Sequence, residues 1–153
     1  MVLALAALGL TGAASGVNGS TSPTASTNTS GAVAATISID PLLVTLSLKA
    51  GTAHVGQGDP ATTTIVNHGR TTLVSVTAFI SAPSSVVVNP AGTQALGSLA
   101  AGAAKTARSA LCGTVPGTYL VVAKAAAQDA VGHKFVGFSQ PQRLVVTNST
   151  GKC

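Results

Sequence analysis

From Ile37 onward the apolar residues fall into short, β-branched runs separated by Gly, Pro and Asn, and most runs alternate with polar positions. Val44, Leu46 and Leu48 alternate with Thr45 and Ser47, which predicts a strand with one buried face, ended by Ala50-Gly51. Thr62 to Val66 reads as a second strand, closed by Asn67-His68-Gly69. In a third, Val74, Val76, Ala78 and Ile80 are expected on one face and Leu73, Ser75, Thr77 and Phe79 on the other, up to Ala82-Pro83. Val86 to Val88 is a short strand stopped by Asn89-Pro90.

The stretch Ala95 to Leu111 fits two periods, because Leu96, Leu99, Ala100, Ala103, Ala107 and Leu111 also satisfy helical spacing. Gly97 and Gly102 would each cost such a helix about 1 kcal/mol relative to Ala. Leu99-Ala100-Ala101-Gly102 instead reads as a turn feeding a strand from Ala103 to Leu111. Pro116-Gly117 then launches Tyr119 to Ala125, and after a loop containing Asp129 and Gly132 a last strand runs from about Gln140 to Thr147. The expected fold is therefore all-β, an immunoglobulin-like antiparallel β-sandwich of about seven strands.

The N-terminal part has another character. Residues 1–10, MVLALAALGL, have the length and uncharged apolar content of a signal-peptide core, followed by the small residues Gly12 to Gly16. Residues 1–16 are expected to be a signal peptide, although the usual basic n-region is missing. The run is broken well short of the roughly 20 apolar residues that a bilayer span needs, so no stable membrane span is expected after cleavage. Residues 17–35 are Ser/Thr-rich with too little apolar surface to offset the entropy of ordering, and read as a flexible linker. Residues 36–153 are expected to form the single β-sandwich domain, secreted or held at the cell surface.

Composition narrows the chemistry. Among 153 residues only 7% are charged, with eight Lys and Arg against three carboxylates, Asp40, Asp59 and Asp129. A paired-carboxylate glycosidase site or an acidic calcium cage has little material to draw on. Aromatic residues are Phe79, Tyr119, Phe135 and Phe138, a sparse supply for stacking sugars or bases. The cations Lys49, Arg70, Lys105, Arg108, Lys124, Lys134, Arg143 and Lys152 are dispersed in sequence, so the net charge of +5 gives no nucleic-acid signature. Such charge supplies at most a weak, salt-sensitive attraction to an anionic surface.

The order of turns is similar to a known family. Asn67-His68-Gly69, Ala82-Pro83, Val87-Val88-Asn89-Pro90, Leu96-Gly97-Ser98-Leu99-Ala100-Ala101-Gly102 and Pro116-Gly117-Thr118-Tyr119 resemble the bacterial NEW3-type domains. These are immunoglobulin-like modules found beside alpha-galactosidases, and the CARDB adhesion-associated modules are similar. The resemblance covers about Leu43 to Thr147. It implies a sandwich of accessory or adhesive use and supplies no catalytic residue, and, unlike in the multidomain members, no catalytic domain is expected beside it.

Cys112 precedes the Tyr119 strand and Cys153 follows the last strand, which places both at one edge of a sandwich. In an exported chain a disulfide between them is the expected outcome, with free thiols or an intermolecular bridge through Cys153 as alternatives. Tyr119 is expected to pack its ring inward and donate its hydroxyl to nearby backbone, a corner device of such sandwiches. His54, His68 and His133 with the three Asp are the only groups for a triad or metal site, and none lies in a catalytic motif. Asp129 and His133, four apart, read as part of an exposed loop, and Asp59-Pro60 and His68-Gly69 as turn chemistry.

The sequence thus predicts a non-catalytic exported module, with no cofactor and no metal, acting in cell-envelope or extracellular interactions. Its expected partner is an unidentified extracellular protein or envelope component. An accessory carbohydrate-binding module, with a polysaccharide as partner, is the alternative. Loops at one end, including Asp129 to Phe138, are the expected partner surface.

Overall fold

The structure, a computed structural model, describes residues 41–148 and 153. The expected signal peptide and linker, residues 1–16 and 17–35, lie outside the described residues, as does Asp40. Ten strands are present among the described residues: β1 Leu42–Leu48, β2 Thr52–His54, β3 Gly58–Asn67, β4 Leu73–Ser81, β5 Val86–Asn89, β6 Gln94–Leu99, β7 Ala104–Gly113, β8 Gly117–Gln128, β9 Lys134–Phe138 and β10 Gln142–Thr147. They form two sheets. One has the order β1-β3-β7-β5 and the other β2-β10-β8-β4-β6, with β9 also on β8. Every pairing is antiparallel except β2 on β10, which is parallel.

The fold is the expected all-β immunoglobulin-like sandwich, and each of the seven predicted strands has a counterpart. Three further strands escaped the pattern. β2 has only three residues, β6 contains Gly97 at φ +71°, and β9 carries Gly137. The region predicted as the loop Asp129 to Phe138 is thus a hairpin whose second arm is β9.

Alternation explains the burial. Leu42, Val44 and Leu46 of β1 face inward with exposed neighbours between them, and β3 buries every second residue from Asp59 to Asn67. Inward-facing β8 is built of Val121, Ala123, Ala125 and Ala127, and these small residues share one core cluster with Ile65, Leu73, Leu99, Leu111 and Leu144. Mixing small and large side chains fills such a core without voids.

The expected faces of β4 are corrected by a bulge. Pairing with β6 runs Leu73↔Leu99 and then Val76↔Gly97, a register shift that reverses parity. Leu73 is therefore buried with Val76 and Ala78, while Val74 is exposed. The last turn of the core depends on a missing side chain. A Cβ at Gly113 would overlap Val146, 2.7 Å from its Cγ1, so only glycine lets β7 and β10 approach this closely.

Candidate functional site

Polar side chains that the sequence offers for chemistry are placed mostly in the service of backbone. Asp59 is 3% exposed, and its two carboxylate oxygens accept from the amides of Ala50 (3.1 Å) and Gly51 (2.8 Å). The expected turn role holds, but the turn it closes is the one between β1 and β2, not its own Asp59-Pro60. His68 is exposed and its amide donates to the Pro41 carbonyl at 2.7 Å.

Asp129 and His133 do meet. The β8–β9 hairpin folds so that Asp129 Oδ1 accepts from the amides of Val131 (3.0 Å) and His133 (2.8 Å), while Oδ2 lies 2.9 Å from His133 Nδ1. Burial opposes ionisation of Asp129, but the amide and imidazole of His133 and the amide of Val131 outweigh it, so its pKa is held below the ordinary 3.8. A carboxylate with a depressed folded-state pKa stabilises the fold fully above the unfolded value, and that stabilisation disappears as pH falls through the folded value. Asp129→Asn is accordingly expected to flatten the fall of Tm with acidification below about pH 4, measured by thermal melts across pH. An unchanged acid limb would show that this carboxyl is not the group responsible. The imidazole itself is well exposed, with 73% of its side-chain surface open, so the pair sits at a hairpin tip rather than in a cleft.

His54 is exposed, and its Nδ1 lies 2.8 Å from Thr147 Oγ1, in a surface groove of about 360 Å³ lined also by Thr52 and Gln57. No group of three or more His, Cys, Asp or Glu that would hold a metal occurs among the described residues. The three imidazoles and two described carboxylates thus stand apart, except for the Asp129–His133 pair.

Cys112 and Cys153 form a disulfide across a sequence separation of 41. Cys112 lies in β7 opposite Gly58 of β3 and Val87 of β5. A cavity of about 370 Å³ opens beside the bridge, lined by Val87, Val88, Ala110 and both cysteines, with Gly56 and Gly58 at one wall. Its lining offers apolar surface and the bridge itself, with no acid or base.

Tyr119 packs against the core and donates its hydroxyl to the Val115 carbonyl at 2.8 Å, as expected of a corner residue. Its ring covers Gly117, where a Cβ would come within 3.1 Å of Cζ.

Two arrangements were not legible as sites. The first is Asn67, fully buried. Its Oδ1 accepts from the Gly69 amide (2.9 Å), and its Nδ2 donates to the carbonyls of Thr71 (2.8 Å) and Leu99 (3.1 Å), joining the two sheets. The second is a row across three strands on the outer face of the larger sheet. Register places Phe79 of β4, Lys124 of β8 and Phe138 of β9 side by side, and Lys124 Nζ lies 5.5 Å from each ring centroid. That distance is within range of cation–π attraction on both sides.

No family model matches the chain, and no curated protein matches it. Solved structures do resemble it. The cupredoxin domain of amoB from Nitrosocaldus yellowstonii is 14% identical with a TM-score of 0.49, over 74% of this chain and 91% of that one. The CARDB domain of a Pyrococcus furiosus protein, in complex with di-metal ions, is 15% identical with a TM-score of 0.47, over 71% and 91%. A PapD-like domain of human CEP192 is 10% identical with a TM-score of 0.43, over 69% and 87%. The metal ions belong to the archaeal protein, and none of these likenesses assigns a ligand or activity to this chain.

Proposed function

We propose that this chain is a non-catalytic immunoglobulin-like module, exported and acting in cell-envelope or extracellular interactions. The observation that carries the reading is the use of its carboxylates. Asp59 engages both oxygens with amides of a neighbouring turn, and Asp129 engages one with amides and the other with the His133 imidazole at an exposed hairpin tip, so among the described residues no carboxylate faces a cleft as base or nucleophile. The Cys112–Cys153 bridge supports an oxidising compartment, in line with the apolar N-terminal run. The likeness in turn order to NEW3-type and CARDB modules belongs to the same proposal.

The test is cosedimentation of the full chain with purified cell walls and with neutral insoluble polysaccharides, each at low and high salt. Retention on cell walls without retention on the neutral polysaccharides is the expected result. Salt-resistant retention on one neutral polysaccharide would replace this reading with the accessory carbohydrate-binding alternative. Retention on nothing would overturn the envelope role.

A further inference from the structure

Three of the cations, dispersed in sequence, fall together on the outer face of the larger sheet. β4 pairs with residues 122–126 of β8 and β9 with 124–128, so β9 must share the other edge of β8 with β10. On the outer face this puts Arg143 beside Leu120, Lys124 on β8 itself, and Lys134 beside Gln128. The three register positions are four residues apart, about 13 Å at the usual strand rise. Arg143 and Lys134 on the edge strands and Lys124 on β8 therefore form a row of positive charge that follows β8, with Lys124 set one strand in from the other two.

Among the described residues no carboxylate is paired with these cations. Both described carboxylates are engaged by backbone amides, and the one ion pair among the described residues is Asp129 with His133. The outer face of the other sheet differs. Its paired rows are Leu43, Val66 and Ala104, then Thr45, Thr64 and Thr106, then Ser47, Thr62 and Arg108, with Lys49 beyond them opposite Pro60, so its two cations, Lys49 and Arg108, stand among hydroxyls at one end. Along the cationic row the ammonium of Lys124 is held between two rings, so less freedom is lost when an anion meets it. Exposed Leu120 and Val136 flank it, leaving a surface both cationic and apolar.

We propose that this face binds a linear anionic polymer of the cell envelope, a chain bearing repeated phosphate or carboxylate charges, with Arg143, Lys124 and Lys134 each meeting one charge. The proposal rests on the interaction-module reading and names its partner chemistry and surface. A second copy of this face would bring like charges together. Residues 1–40 carry a single carboxylate, Asp40, and offer little to complement it.

The experiment measures binding of the full chain to inorganic polyphosphate, to polygalacturonate and to phosphatidylglycerol vesicles across a salt series. It compares the wild type with two triple variants of equal charge change. One is Lys124→Gln, Lys134→Gln, Arg143→Gln on the face, and the other is Lys49→Gln, Arg70→Gln, Arg108→Gln elsewhere, each checked for an unchanged Tm. The face variant is expected to lose at least tenfold in affinity, and its slope of log affinity against log salt to flatten by about 2, some 0.7 for each cation removed from the polymer's path. The control should lose less than threefold. Preference for polyphosphate or polygalacturonate identifies the charge as phosphate or carboxylate. Equal losses in both variants would overturn the proposal, leaving only net charge. So would binding to vesicles and neither polymer, in favour of a lipid surface. Undiminished retention of the face variant on cell walls would sink this site while leaving the module reading intact, and no retention of the wild type on walls or polymers would sink both.

Discussion

Replacing both cysteines, Cys112→Ser with Cys153→Ser, is expected to lower the unfolding free energy by about 4 kcal/mol, the chain-entropy value for a closed loop of this size. The bridge spans a sequence separation of 41 and encloses β8, β9 and β10, half of the larger sheet's strands. Without it the unfolded chain gains conformations that the folded one does not. The effect therefore acts on the unfolded state, and urea unfolding should show a lower midpoint together with a steeper slope, because the reduced ensemble exposes more surface. Marginal domains have about 5–15 kcal/mol in total, so a loss of this size is a large share. A decrease below about 1 kcal/mol would mean that other interactions already restrain the C-terminal segment.

Asn67→Ala is expected to cost about 3 kcal/mol in the same experiment, through the removal of three hydrogen bonds at a fully buried position. The Leu99 carbonyl loses the Nδ2 donor that reaches it from the other sheet, and a buried acceptor left without one is penalised for its desolvation. The backbone of Asn67 would still bond, its amide to Ala103 and its carbonyl to the Gly102 amide, so the turn itself should survive. Asn67→Asp separates the side-chain role from shape. The new carboxyl is the same size but at neutral pH presents oxygen to two carbonyl oxygens, and should destabilise more than Ala. Its ionisation is disfavoured in the fold, so its stability deficit should shrink as pH falls toward the carboxylate range. Equal unfolding midpoints for wild type and Asn67→Ala would remove Asn67 as the link between sheets.

Which parts of this molecule were readable from sequence follows from the range of the physics involved. β1, β3 and β8 alternate cleanly because each has one face on the core, and a period of two needs no partner to be seen. The choice of strand over helix for Ala103 to Leu111 rested on Gly97 and Gly102, and both adopt positive φ in the structure. β2 and β9 exist because β10 and β8 offer them edges, a cause that lies far away in sequence. The bulge at Val74-Ser75 reversed a face assignment because one inserted residue shifts parity without leaving a mark in composition. The row of Arg143, Lys124 and Lys134 is a matter of register alone. Its members come from three strands, and only pairing puts them on one face.

The disulfide also sets the path that tension takes through the domain. Cys112 belongs to β7, so a pull applied at Cys153 is delivered to β7 rather than to β10, and residues 113–152 carry none of it. A counter-pull entering ahead of Leu42 arrives at β1, and the load crosses β1, β3 and β7 of the smaller sheet. Leu42 lies at the Asn67 end of that sheet and Cys112 at the Gly58 end, so the two forces run along the strands in opposite directions. Strands loaded in this way slide against one another and strain their hydrogen bonds together. A single covalent bridge thus moves the load onto the smaller sheet, while the face that carries the three cations stays outside the stressed path.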